Sequence, residues 1–402
     1  MNDRAVSGKR FWALTGPALV AGVAYLDPGN VATNLTAGYT HGYLLLWVLI
    51  LANLVAWLVQ YLAAKLGLAT GKSLSAAMGS RLRTKTGRFL YWAQAQVVAI
   101  ATDLAEVIGG AIALNLLFHI PLFIGCVVTA AIATGLLYYQ ASGRAHMFEI
   151  IIIGLIAITA VGFALSMFYA KPDSAFDLPL ATASATNPVT LALGIIGATI
   201  MPHAVYVHSA LSSDRLSVTK GKGLIGVIRA DVTIAMAIAG AVNVSLLVIG
   251  AKLGPNGFAG DFIAATFETL SHSGAWLGAA FGLALFASSL ASTSVGTLTG
   301  DVILGGLKLS RPLPIFVRQL ITLVPALIVL ANPISPTNLL VISQVFISFG
   351  IPFALFPLVR LTANSQLMGK FANTRFTSVL GYTIVSVLSA LNIWAIVSPL
   401  FA

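Results

Sequence analysis

Residues 14–39 read LTGPALVAGVAYLDPGNVATNLTAGY. The run is long and apolar enough to span a bilayer, which takes roughly 20 such residues. Yet Asp27-Pro28-Gly29-Asn30 interrupts it. A carboxylate at mid-membrane costs several kcal/mol and is rarely idle there. Pro28 removes a backbone donor and Gly29 tolerates unusual backbone angles. This span is therefore predicted to unwind and to free carbonyl oxygens toward a ligand. The bland alternative is a proline kink with Asp27 as a helix cap near the interface.

The surrounding chain is of the same kind. Its 402 residues are 58% hydrophobic and only 8% charged, with a mean hydropathy of +0.94. Soluble domains carry about 25% charged residues, so the solvent of this chain is lipid. One compact transmembrane domain over 1–402 is expected, with no room for a large soluble module. Eleven spans are predicted, at 14–39, 43–69, 89–118, 121–140, 147–169, 190–212, 226–251, 275–305, 314–331, 337–361 and 376–400. The two longest connections, 171–189 and 252–274, have the length to carry short helices. The stretch from Phe11 to Tyr25 runs into the break with no small-residue cleavage site, so it reads as a span and not as a signal peptide.

The net charge of +10 does not mark a nucleic-acid partner, because the basic residues sit in short loops between spans. With the N-terminus inside, inner segments hold clusters such as Arg81, Arg83, Lys85 and Arg88. Outer loops hold only Lys171 and Lys252. The asymmetry predicts a cytoplasmic N-terminus, and an odd span count then puts the C-terminus outside. Cys126 is the single cysteine and lies in an apolar run, which excludes a disulfide framework or a cysteine metal site.

A second interruption, Met201-Pro202-His203, falls in the sixth predicted span, and five spans separate the starts of the two broken ones. A five-helix unit repeated once must be inverted, because an odd number of crossings flips the copy. Broken helices at matching positions of inverted repeats point to a binding site near the midplane. The repeats are placed at about 14–169 and 190–361, with an extra helix at about 376–400. Helix breaks are assigned to Pro28, Gly29 and Pro202.

The residues at the breaks suggest a cation site. Asp27, Asn30, Met201 and one freed carbonyl, such as that of Ala198, would form a mixed oxygen and sulfur donor set. Soft sulfur suits transition metals, whereas Ca²⁺ and Mg²⁺ take oxygen only; a methionine in an apolar span is otherwise packing. Asp103 and Glu106 share one face of the third span. They read as a proton relay or as acids neutralised by nearby cations. His203 and His208 are five apart, which is not the i, i+4 ligand spacing. They read as gate or proton-handling groups, or as hydrogen-bonded structural histidines. Arg318 in the ninth span either offsets the buried acids or snorkels to the surface. Gln344 is an amide in an apolar run, open to interhelical hydrogen bonding. The small residues around Gly109-Gly110 and Ala287-Ser288-Ser289 are accounted for by close helix packing.

These motifs resemble the Nramp family of divalent metal transporters over nearly the whole chain. The resemblance rests on Gly16-Pro17 leading to Asp27-Pro28-Gly29-Asn30, and on Met201-Pro202-His203 followed by Tyr206 and His208-Ser209. It rests also on the run from Asp103 to Gly109, and on Ser343-Gln344-Val345 with Ser348-Phe349-Gly350. It implies an all-α LeuT-type fold with two inverted five-helix repeats, and import of Mn²⁺ or Fe²⁺ coupled to protons. By position it implies that Asp27, Asn30 and Met201 are metal ligands, Ala198 a carbonyl donor, and Gln344 a ligand that joins in occluded states. Asp103, Glu106, His203 and Arg318 match proton-handling positions. The chain departs from the family pattern at Ala204, Gln319 and Asp301, where Asn, Arg and Gln are usual. Gln319 bears on the proton exit route; none of the three touches the ligand set.

The expected activity is import of Mn²⁺, also Fe²⁺, Cd²⁺ and Co²⁺, by alternating access in a bacterial inner membrane. The expected protein is a monomer and not an enzyme, has no cofactor, and takes metal ions and protons as its partners within the bilayer. Its rivals are an organic-substrate or amino-acid symporter of the same fold, a metal sensor or scaffold without flux, and a passive metal channel.

Overall fold

The computed structural model describes residues 16–170, 187–216, 223–254, 261–308, 315–331 and 335–397. Among these residues every regular element is helical. The first predicted span comprises α1 (Pro17–Gly22), a 3-10 turn (Val23–Leu26) and α2 (Pro28–His41). Then follow α3 (Leu46–Thr70), a short α4 (Leu74–Arg81), α5 (Lys85–Phe118), α6 (Leu122–Ala141) and α7 (Ala145–Tyr169). The sixth span is α8 (Pro188–Thr199) plus α9 (Pro202–Leu216). After α10 (Leu224–Leu253), the connection at 252–274 carries α11 (Phe262–Ser273). Then come α12 (Ala275–Leu307), α13 (Ile315–Leu330), α14 (Pro336–Ser348), α15 (Ile351–Thr362), α16 (Ser365–Met368) and α17 (Arg375–Val397). The predicted connection at 171–189 lies outside the described residues up to 186.

Among the described residues, nine stretches are long and apolar enough to cross a membrane, with α8–α9 and α14–α15 each counted as one. Pro17–Leu26 and Leu320–Leu330 are shorter apolar helices, lying where the first and ninth spans are predicted. Within the described residues, each of the eleven predicted spans falls on one helix or on a broken one.

The surface is apolar and the interior holds the polar groups. Trp47, Phe168 and Phe376 are exposed, whereas Asp27, Asn30, Glu106, Asn243 and Gln344 are fully buried. In water that pattern would be unstable; in lipid the exposed rings lie in an apolar solvent, and buried polar groups need internal partners.

Packing between the broken spans and their neighbours is reciprocal. α2 crosses α10 so closely that a Cβ on Gly38 would lie 2.2 Å from the Leu247 carbonyl oxygen, and one on Gly250 would lie 2.3 Å from that of Leu35. α3 crosses α9 in the same manner, with Gly67 against Ser209. The second half of the first broken span thus packs on the seventh span, and the second half of the sixth packs on the second.

One span departs from its predicted form. Residues 337–361 read as continuous, yet α14 ends at Ser348 and α15 begins at Ile351. The cause is local: Pro352 has no N–H to give the Ser348 carbonyl. Asn392 of α17 takes that carbonyl instead, at 2.8 Å, and the Ser348 hydroxyl donates back to Asn392 Oδ1 at 2.8 Å.

Candidate metal site

At the first break the helix stops because Asp27 turns extended (φ −65°, ψ 163°) and then serves as the N-cap of α2. Its Oδ1 accepts from the backbone N–H of Asn30 at 2.8 Å and from Asn30 Nδ2 at 2.7 Å. Pro28 occupies the first helical position, where a missing N–H costs nothing. The cap reading of Asp27 is therefore right about local structure. Asp27 is in addition fully buried among helices.

The carbonyls loosened here do not face open space. Asn243 Nδ2 donates to the Tyr25 oxygen at 2.9 Å, and Ser288 Oγ donates to the Leu26 oxygen. Of the carbonyls that the first break was expected to free, those of Tyr25 and Leu26 each accept one such bond, from α10 and α12.

At the second break α8 ends at Thr199, Ile200 leaves helical geometry (φ −110°, ψ 70°), and α9 starts at Pro202. In a continuous helix the Ala198 carbonyl would accept from residue 202, and proline has no N–H to donate. That oxygen is taken across the gap by Asn30 Nδ2, at 2.8 Å. Met201 is fully buried in the two-residue gap between α8 and α9.

Gln344 of α14 touches both breaks. Its Nε2 lies 1.7 Å from where a Cβ on Gly29 would stand, and its backbone oxygen 2.0 Å from where one on Gly197 would stand. Only glycine at these positions lets the amide and the helix backbone come so close. The structure thus brings Asp27, Asn30, Ala198 and Gln344 together, with Met201 in the adjoining gap.

Three oxygens here, Asp27 Oδ2, Asn30 Oδ1 and Gln344 Oε1, are buried and accept no hydrogen bond. Leaving such a group unpaired costs about 1–3 kcal/mol, more when it is charged. Oxygens of this kind are the donors a hard or borderline cation takes. Among the described residues no three His, Cys, Asp or Glu side chains cluster as a metal-binding group. An ion held here would rest on one carboxylate and otherwise neutral donors.

Asp103 and Glu106 on α5 converge on Gly296 of α12. A Cβ at Gly296 would lie 2.4 Å from Asp103 Oδ1 and 2.9 Å from Glu106 Oε2. Both Glu106 oxygens and Asp103 Oδ1 are buried without hydrogen-bond partners. α5 touches the first break close by: Pro28 is seated on Gly109, one turn beyond Glu106, where a Cβ would lie 2.1 Å from the proline Cβ. On its other side Asp103 lines a cavity of about 380 Å³ between α5, α12 and α13, with Gln96, Thr297 and Thr322 among its walls.

The two histidines separate. His203 is buried with neither ring nitrogen partnered. It lines a cavity of about 10 Å³ with Gln94 and Tyr206, room for about one water molecule. His208 Nδ1 is hydrogen-bonded to Gln60 Oε1, and Gln60 Nε2 donates to the Tyr25 hydroxyl. Arg318 lies on α13, and its side chain falls outside what the structure describes.

Sequence reasoning missed the residues that support the breaks: Tyr25, Gln60, Asn243, and Ser288 beyond its small size. Gln60 and Asn243 carry the same signal as Gln344, an amide inside an apolar span. That signal marks a polar partner without saying which one.

Comparison with known proteins places the chain in a family. Residues 18–398 match the family described as natural resistance-associated macrophage protein-like, or Nramp. The divalent metal cation transporter MntH of Mycobacterium tuberculosis is 45% identical over 98% of this chain and 93% of its own length. The crystal structure of a manganese transporter from Eremococcus coleocola superposes with a TM-score of 0.85 at 32% identity, covering 99% of this chain and 89% of that one. Mhp1, a nucleobase-cation-symport-1 family transporter, superposes at 0.60 with 13% identity, covering 98% of this chain and 91% of its own, which shows a shared fold alone. The chain is therefore a member of the Nramp family, with the all-helical LeuT-type fold that the resemblance implied.

Proposed function

We propose that this protein imports divalent transition metal ions, Mn²⁺ or Fe²⁺ foremost, by alternating access and in exchange for the free energy of an inward proton gradient. The observation that carries this reading is the convergence of the two breaks. Asp27, Asn30 and Gln344 each present a buried, unpartnered oxygen, beside the Ala198 carbonyl and the buried Met201. The names of its mycobacterial and Eremococcus relatives point the same way.

The roles divide by chemistry. Asp27 supplies charge, and must be deprotonated to bind a cation well. The Asn30 amide NH₂ bridges Asp27 Oδ1 and the Ala198 oxygen. An arriving cation would displace it from both and gain the Asn30 Oδ1. Met201 supplies a soft donor and with it discrimination against Ca²⁺ and Mg²⁺. Gln344 completes the shell when α14 is closed against Gly29.

The proton released from Asp27 has a separate neighbourhood to enter. Glu106 and Asp103 lie along α5 from the Pro28 contact, and Asp103 borders the cavity toward α13. His203, Arg318 and, more remotely, His208 complete the proposed proton-handling set. The hydrogen bond to Gln60 supports a structural part for His208.

The Lys and Arg asymmetry supports a cytoplasmic N-terminus and an external C-terminus in a bacterial inner membrane. The reciprocal packing of α2 with α10 and α3 with α9 supports repeats at about 14–169 and 190–361. An organic-acid substrate of this fold would meet the Asp27 carboxylate and be repelled by it.

The test is Mn²⁺ uptake into proteoliposomes holding the purified protein. Uptake is expected to saturate and to accelerate when the outside is made more acidic. No uptake with or without the gradient defeats the transporter reading, and unsaturable uptake insensitive to the gradient would make the protein a passive channel.

A further inference from the structure

Asp261 stands at the start of α11, and nothing above gives it a role. Its carboxylate caps two helices at once. Oδ1 accepts from the N–H groups of Ile263 and Ala264, at 3.1 Å each, in the first turn of α11. Oδ2 accepts from the N–H of Thr337 at 3.1 Å, in the first turn of α14, and from Ser335 Oγ at 3.2 Å. The Thr337 hydroxyl adds a fifth bond, to Oδ1 at 2.5 Å. The N-cap residue of α14, Ser335, makes no capping bond of its own, so α14 borrows its cap from α11. Both helix N-termini carry partial positive charge, which favours an anion between them. A carboxylate offers about four lone-pair sites, and five donors occupy them. Asp261 is therefore a fastening and has no acceptor left for a cation.

The rest of α11 holds the far end of α2. Phe262 lies against Tyr39 with ring centroids 5.0 Å apart, and Thr266 Oγ1 donates to the Tyr39 hydroxyl at 3.4 Å. α2 carries Asp27 and Asn30 at its near end. α14 carries Gln344 about two turns beyond Thr337, with its amide against Gly29. α11 thus ties together the far ends of the two helices whose near ends present the unpartnered oxygens.

We propose that Asp261 is a positioning residue for the metal site: by clamping α14 to α11 it holds Gln344 within reach of an ion bound to Asp27 and Asn30. This rests on the metal-site reading above and extends it to a residue that never touches the ion.

The test is a double-mutant cycle on the purified full-length protein, with the Mn²⁺ dissociation constant read by calorimetry. Asp261→Ala is expected to raise Kd by roughly tenfold, the size seen when support behind a metal ligand is removed. Gln344→Ala should raise it comparably, and the double variant no further, because both act through one side chain. A merely structural lesion would reduce the yield of folded protein and leave the Kd of what folds unchanged. Should Asp261→Ala fail to fold, Thr337→Val removes only the hydroxyl bond and should show a smaller rise with the same loss of additivity. An unchanged Kd in folded Asp261→Ala, or fully additive effects, would overturn the clamp. The two failures are separable. A Gln344→Ala variant with unaltered Kd refutes Gln344 as a ligand and the clamp with it. A shift at Gln344 with none at Asp261 refutes the clamp alone.

Discussion

At the first break the chain supplies a carboxylate and an amide; at the second it supplies a thioether and a carbonyl without its helical partner. The first is self-supporting. Asp27 caps α2, Asn30 returns two hydrogen bonds to it, and Asn243 and Ser288 close the loosened carbonyls behind it. The second is incomplete on its own. Pro202 strips the Ala198 carbonyl of its partner, and Asn30 of the other break supplies the replacement. On the reading proposed above, the labour divides accordingly: one half fixes the charge in place, and the other offers a soft donor to discriminate among cations. Gln344 lies against both halves and belongs to neither.

The largest effect that can break this comparison comes from Asp27→Asn. Asparagine also caps helices through its side-chain oxygen, so α2 should still start at Pro28 while the charge is lost. The expected outcome is folded protein, with a melting temperature near that of the parent, and no measurable Mn²⁺ uptake. Substantial uptake would show that the carboxylate serves only as a cap.

A smaller and more selective effect is expected from Met201→Ala at the other break. Metal should still bind, because Asp27 and Asn30 are untouched. Discrimination should fall: Cd²⁺ and Mn²⁺ uptake weaken while Ca²⁺ or Mg²⁺ begin to compete, a change of roughly tenfold or more in the Cd²⁺-to-Ca²⁺ ratio for loss of the soft donor. Competition uptake assays read this directly. An unaltered ratio would return Met201 to the packing and leave the second break without a specific role.

Much of this was legible in the chain because both breaks announce themselves. Proline in an apolar run removes a known hydrogen bond, and Asp27 in such a run demands a reason. The positions of the helices were legible for the same cause, since lipid requires long apolar runs. The supporting cast was not. Ser288 lies 262 residues from the Leu26 oxygen it caps, and Gln60 lies 148 residues from His208; one-dimensional patterns carry no information about such partners. In the sequence Ser288 is one more small packing residue; its hydroxyl gains a partner only because α12 lies beside the break. The split of span ten was missed although Pro352 was in view, because that proline stands near the start of α15 and the carbonyl it orphans is repaired from α17. Gly296 shows the same limit. Its importance is the space it leaves for Asp103 and Glu106, and space is a property of two helices together.

The central claim is that the two breaks form one metal site, and it is tested most directly by a crystal structure of the protein soaked in Mn²⁺, read by anomalous scattering. A single strong peak is expected, in contact with Asp27 and Asn30 from one break and with Met201 from the other. A peak held elsewhere, or ligated by residues of only one break, would contradict it.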